Sequence, residues 1–385
     1  MRPPRSRRRH GAVVILAAAL AALGTGQTLG APAASAAPPA PAPSTAVATA
    51  QDQAARAIAG ALRDPAFRAR LRTAALGSEE VPVTRLAGSA LKPALTAADH
   101  RIAAAKGLDG QVGSLLRLRL GDDSMRPALT AGSTPWVAAA ASDDDTAAVT
   151  AYDSLGRAHP VDARTAPAHP VYVVDIDGDQ ALAAGLRVLG TELHRLGVAS
   201  RTPAPTAARP ARQAAPRAAT AASGFWTTRI TAVELNDDEE PWVKGDAEIY
   251  ALVTGFGQDG KVRVDPVDMP YLDNDGTVYR PNQILVNWSN YKYDLADAVM
   301  MEEDGSTNYR DLAKAIATAL LTITDQGAYI PLVNAVLDAI PDDWWTDDPD
   351  YVDSWYTLAR GDNGTRVGAR GNGRLTLEPY FVQEF

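Results

Sequence analysis

The 385-residue sequence contains no cysteine and only five histidines. The first absence excludes disulfides, Cys-ligated zinc, iron–sulfur clusters and thiol nucleophiles together. The second works against zinc and copper, and no histidine follows His194, so the C-terminal half cannot build a Ser-His-Asp triad. G-x-S-x-G and H-E-x-x-H are both missing. A formal net charge of −9 leaves no basic stripe of the kind that nucleic-acid binders need. Beyond the N-terminus there is no second apolar run of about 18 residues, so no transmembrane anchor is expected after signal cleavage. The hydrophobic content of 46% is nevertheless enough for real cores, and the length fits two to three domains.

The first 36 residues read as a signal peptide. Arg2, Arg5, Arg7, Arg8 and Arg9 precede an apolar run from Gly11 to Leu23, and Ala34-Ser35-Ala36 supplies an A-x-A site. The protein is therefore expected to be secreted and extracellular, by the general or the twin-arginine route. Residues 37–49 are an Ala/Pro/Ser/Thr-rich leader, expected to be disordered. A second such stretch, 201–223, carries Pro203, Pro205, Pro210 and Pro216 and reads as a linker. It divides unlike halves. Residues 1–222 hold 25 basic and 17 acidic side chains, whereas 223–385 hold 12 and 29, a net of −17. Of seven tryptophans only Trp136 precedes the linker.

Residues 50–200 predict an α+β N-terminal domain. Helical spacing covers 51–62, 67–76, 97–105 and 180–196, the last with Leu182, Leu186, Leu189 and Leu193 on one stripe. Strands are predicted at 114–120, 134–140, 146–152 and 171–176. His100, His159, His169 and His194 show no metal-ligand spacing and read as solvated. Asp175-Ile176-Asp177-Gly178-Asp179 has its glycine at the wrong position for an EF-hand loop, and reads instead as a strand-to-helix turn capped by Asp179.

Residues 224–385 turn to period two and predict a mainly antiparallel β-sandwich C-terminal domain with a helical-hairpin insert at 308–340. The expected strands are 225–235, 246–255, 261–266, 283–291, 295–301, 354–360 and 374–383, each with one wet and one buried face. In the insert, Leu312, Ile316, Leu320 and Ile323 form one apolar stripe and Ile330, Val333, Leu337 and Ile340 another, while Asn308 opens the first helix as a cap. If strands alternate in direction, one end of the sandwich gathers eighteen carboxylates from the loops 236–245 (with Asp246), 267–282 and 302–307 and from the stretch that follows up to 353. Such crowding calls for a counter-charge, and calcium is the cation that takes six to eight oxygen ligands. Asp237, Asp238, Asp246, Glu302, Asp304 and Asp348 are the candidate metal ligands, with calcium the candidate cofactor. A merely solvated acidic rim explains the same pattern, and so does a carboxylate pair for hydrolysis.

Other motifs dissolve on inspection. Gly255-Phe256-Gly257-Gln258-Asp259-Gly260 precedes a strand rather than a helix, so it is a hairpin turn and not a dinucleotide loop. Asp273-Asn274-Asp275-Gly276 lacks the EF-hand spacing, and Ser289-Asn290-Tyr291-Lys292 stands in strand-like sequence without supporting motifs. Trp344-Trp345 and Trp355 beside Asp347 and Asp348 form a candidate sugar-stacking platform, with packing as the plainer role.

Two resemblances follow from these residues. Val233-Glu234-Leu235-Asn236-Asp237-Asp238 with Gly245-Asp246-Ala247-Glu248-Ile249-Tyr250 is weakly similar to the first calcium loop of C2 domains, although Asp-Pro-Tyr is replaced by Asp246-Ala247-Glu248 and a C2 domain has no helical hairpin. More closely, Asp268-Met269-Pro270-Tyr271-Leu272-Asp273, Pro281-Asn282-Gln283-Ile284-Leu285, Asn308-Tyr309-Arg310-Asp311 and Asp350-Tyr351-Val352-Asp353 resemble the bacterial secreted proteins of domain of unknown function family 3103. That resemblance implies secretion and brings no activity. The expectation is a calcium-stabilised binding module that contacts an extracellular glycan, surface or protein through its acidic end. A carboxylate-pair hydrolase and a protein-interaction module are the alternatives.

Overall fold

A computed structural model describes residues 43–108, 110, 112–141, 146–201, 223–236, 242–244, 247–272, 274–303, 305, 307–340 and 351–383. Residues 1–42, which include the expected signal peptide, and 202–222 of the expected linker lie outside the described residues, whereas residues 43–49, expected to be disordered, are helical.

The chain opens with helices α1 (Pro43–Ala61), α2 (Pro65–Gly77), α3 (Val83–Leu86) and α4 (Lys92–Ala105). Asp64 starts α2 by accepting from the Ala66 N–H while Pro65 takes the first helical position, where its missing donor costs nothing. Then come β1 (Leu116–Leu120), α5 (Arg126–Thr130), β2 (Trp136–Ala139), β3 (Ala148–Tyr152), β4 (Ala158–Asp162), β5 (Val171–Ile176) and α6 (Gly178–Leu196). The five strands form one sheet in the order β1-β5-β2-β3-β4, antiparallel except for the β2–β5 pair. The sequence hid β4 because Pro160 lies within it; an edge strand tolerates that missing donor. The cap of α6 is Asp177, not Asp179: its carboxylate accepts from Gln180 N–H at 2.9 Å.

The C-terminal half contributes β6 (Gly224–Leu235), β7 (Ile249–Phe256), β8 (Val262–Asp268), β9 (Gln283–Asn287), β10 (Leu295–Glu302), α7 (Tyr309–Leu320), α8 (Val333–Leu337), β11 (Tyr351–Ala359), β12 (Gly364–Val367) and β13 (Gly373–Gln383). Two antiparallel sheets result, β11-β10-β7-β8 and β12-β13-β6-β9. The fold is thus mixed α+β with a sandwich of two sheets.

Two local expectations need correction. The strand expected at 283–291 is shorter: β9 ends at Asn287, Trp288 begins a 3-10 turn, and the pairing slips at Thr228/Arg229. The second helix of the insert shrinks to five residues, with Ile330 exposed, because the Leu332 N–H is taken by the buried Asp297 carboxylate at 2.6 Å rather than by a helical turn.

Alternation explains how the layers stack. On β7, Ile249, Ala251 and Val253 face the second sheet of the sandwich, where they meet Val233, Leu285, Leu375 and Leu377. Tyr250, Leu252 and Phe256 point the other way, into a core built with α1, α4, α6 and α7. Every residue of β7 is consequently buried, and β10 is nearly so. The expected wet face is absent on these central strands because the helices cover it. The apolar core includes residues from before position 202 and from after position 222, and residues 41–385 form one compact unit.

Close approach at one helix crossing has a single cause. A Cβ on Gly185 of α6 would lie 2.0 Å from the Tyr309 ring of α7, so only glycine lets that ring enter.

Candidate functional site

The strand register places many chain reversals at one end of the sandwich. Leu235 pairs with Gly373, Ile249 with Glu302, Tyr250 with Asp268, and Met301 with Tyr351. Five of the six candidate metal ligands, Asp237, Asp238, Asp246, Asp304 and Asp348, lie outside the described residues. Glu302, the sixth, closes β10 at this end. Among the described residues no group of three or more His, Asp or Glu side chains is placed to hold a metal ion.

Several described acids at this end do structural work. Asp353 is fully buried and accepts from the N–H groups of Ser354, Arg370 and Gly373 at 2.7–2.8 Å, closing the turn before β13. Glu303 is buried against Lys106, and Asp311 pairs with Lys314. Trp344, Trp345, Asp347 and Asp348 lie outside the described residues, while Trp355 is buried and donates to the Arg366 carbonyl, a packing role. In the first half, Asp175 and Asp177 meet Arg119 and Arg117 of the neighbouring β1, which supply their counter-charge. Two histidines also depart from the solvated reading. His159 and His169 stack on Trp136 at 4.1 and 4.2 Å, whereas His100 and His194 are exposed.

A candidate ligand cavity among the described residues lies elsewhere. A cleft of about 850 Å³ opens between α6, β8 and β9, the last two being the edge strands of the two sheets. Three arginines stand around it: Arg187 from α6, Arg201 after α6, and Arg280 before β9. All three are exposed and make no side-chain hydrogen bond or ion pair among the described residues. Leu186, Pro266, Pro270, Tyr271, Tyr279 and Ile284 give apolar wall.

The acids of the cleft divide in role. Asp265 is consumed by Arg263 Nε at 2.7 Å, Arg201 N–H at 2.8 Å and the Tyr291 hydroxyl at 3.0 Å. Asp268 keeps a buried Oδ1 with no hydrogen-bond partner. Burial, then the negative charge of Asp179, pushes the Asp268 carboxyl up to about 6. Beside it the Tyr271 hydroxyl donates to Gln283 Oε1, and the Gln283 amide donates to the Asp268 carbonyl at 2.6 Å, which fixes the loop between β8 and β9. Asn282 completes that loop with φ +53°, a left-handed conformation that asparagine tolerates. The cleft can therefore offer guanidinium donors, an apolar wall and a carboxyl that titrates near neutrality.

Its Asp268–Leu272 and Pro281–Leu285 segments are ones whose wording stood out in the sequence. The arginines did not, because they come from three separate elements and no spacing links them. The sequence profile of a family described as a protein of unknown function, DUF3103, matches residues 55–385. The chain belongs to the DUF3103 family. Both cleft segments of this DUF3103 protein fall within the match. No curated protein matches the chain, and no solved structure does. Among the described residues no helix is long and apolar enough to cross a membrane.

Proposed function

We propose that this DUF3103 protein is a secreted binding protein that takes an anionic ligand in the cleft between α6, β8 and β9. The observation that carries the reading is three guanidinium groups around one cleft without ion-pair partners among the described residues, in a chain whose net charge is −9. Unpaired arginines match carboxylate and phosphate groups in shape as well as charge. Asp268 adds a donor when protonated and, when ionised, discriminates against a second anion close by. Titration calorimetry of the whole chain with citrate, inorganic phosphate and an oligoglutamate peptide tests this. At least one should bind, weaken with added salt, and weaken at least tenfold in an Arg187→Ser/Arg280→Ser double variant. Absence of binding by all three at millimolar concentration would remove the proposal.

A carboxylate-pair hydrolase needs two available acids facing one another. Asp265 already accepts three hydrogen bonds, so the cleft favours binding over that chemistry.

Calcium stabilisation is a second, separate reading. It is supported by the register that brings the ends of β6, β8 and β10 and the starts of β7, β11 and β13 together, since the loops carrying Asp237, Asp238, Asp246, Asp304 and Asp348 leave from that end. Melting the whole chain in millimolar calcium and then in EDTA should lower Tm by several degrees on chelation. An unchanged Tm refutes it.

A further inference from the structure

The most unusual chemistry in the molecule lies away from the cleft. Lys106, just after α4, is completely buried, and its ammonium contacts the carboxylate of Glu303, whose side chain is 1% exposed. Glu303 is the only ion-pair partner of Lys106 among the described residues. An ammonium has three donors, so one carboxylate leaves it under-satisfied in a medium where charge is costly.

The surroundings hold the pair rigidly. The Tyr309 hydroxyl donates to Glu303 Oε2, and the Gly305 N–H donates to Oε1 at 3.0 Å. The Tyr309 N–H donates to the Lys106 carbonyl at 3.1 Å. Asn308 Nδ2 and Arg310 Nε donate to the carbonyls of Ala105 and Gly107 at 2.7 and 2.8 Å, so the turn carrying Lys106 is tied to the start of α7 on both sides. An amine and a carboxyl are thus confined in contact, away from water, with a hydrogen-bond donor on each carboxyl oxygen. Confinement of this kind replaces a bimolecular encounter with an intramolecular one.

We propose that Lys106 and Glu303 condense to an amide, a covalent cross-link between α4 and the end of β10. Proton transfer across the contact, from the Lys106 ammonium to the Glu303 carboxylate, gives an amine and a carboxylic acid. The Nζ lone pair attacks Glu303 Cδ. The Tyr309 hydroxyl and Gly305 N–H stabilise the oxygen charge that develops there. The Cδ–O bond to one oxygen then breaks, and that oxygen departs as water with a second proton from Nζ. The balance is one ammonium and one carboxylate giving one amide and one water, with no oxidant or other reactant. Two buried charges disappear, and the new bond spans 197 positions of a chain that has no cysteine.

Peptide mapping of the full purified chain tests this without any variant. After denaturation, trypsin should fail to cut after Lys106. It should release Ile102–Arg117 joined to Tyr293–Arg310, at the sum of the two masses less one water. On a denaturing gel the looped wild-type chain should run ahead of a Lys106→Arg variant, which keeps the charge and cannot form the bond. Recovery of free Ile102–Lys106 and free Tyr293–Arg310 as the only forms, with equal gel mobility of the two proteins, overturns the proposal and leaves an ion pair alone.

Discussion

Replacing Asp268 by Asn should stabilise the protein at neutral pH and scarcely affect it in acid. The folded-state carboxyl lies at about 6 against a reference of 3.8, raised first by burial and then by Asp179. A raised carboxyl value means that the folded chain favours the neutral form. Between about pH 4 and 6 the folded state binds more protons than the unfolded state, so this group's contribution to stability falls as pH rises through that window and stays low above it. A displacement of about two units corresponds to about 3 kcal/mol, at roughly 1.4 kcal/mol per unit. Asn has nearly the same shape and cannot ionise. Urea unfolding of Asp268→Asn and wild type at about pH 4 and pH 8 should therefore show a gain of about 2–3 kcal/mol at pH 8 and less than about 1 kcal/mol at pH 4. An equal effect at the two pH values, or a loss at pH 8, would refute the reasoning. If the gain appears, stability is being sacrificed at a cleft position, as expected of a residue kept for ligand contact.

Other outcomes follow from buried groups. Asp353→Ala should destabilise by about 3–5 kcal/mol in urea unfolding, because three backbone N–H groups lose their buried acceptor. Gly185→Ala should cost about 1–3 kcal/mol by forcing α6 from the Tyr309 ring, and in a double-mutant cycle the cost should shrink in a Tyr309→Ala background.

Much of the fold was legible because periodicity reports burial directly. The stripe of Leu182, Leu186, Leu189 and Leu193 became the buried face of α6, and Leu312, Ile316 and Leu320 that of α7. Asn308 caps α7 as its position implied. The hairpin at Gly257–Gly260 is a turn between β7 and β8, with Gly260 at φ +77°. What escaped had weak local signal: β12 has four residues, and β4 contains a proline. The burial of β7 on both faces was illegible for a different reason. Tyr250, Leu252 and Phe256 look the same whether they meet water or a helix layer, and the layer comes from sequence far away. The cleft was half-legible. Asp268, Tyr271 and Gln283 stood in conspicuous segments, but nothing along the chain brings Arg187 and Arg201 to Arg280. A carboxylate's chemical identity likewise says nothing of its duty: Asp353 and Asp265 are consumed by hydrogen bonds, whereas Asp268 Oδ1 has none.

The double burial of β7 has a consequence for the integrity of the chain. One side of its sheet is finished by β6, β9 and β13, and the other by helices on both sides of the linker. A protease that severs the backbone between residues 201 and 223 therefore does not release two autonomous modules. It leaves two fragments clasped through one interior, each carrying a surface that only the other can cover. In an environment rich in proteases, such a chain can be nicked and still keep its shape.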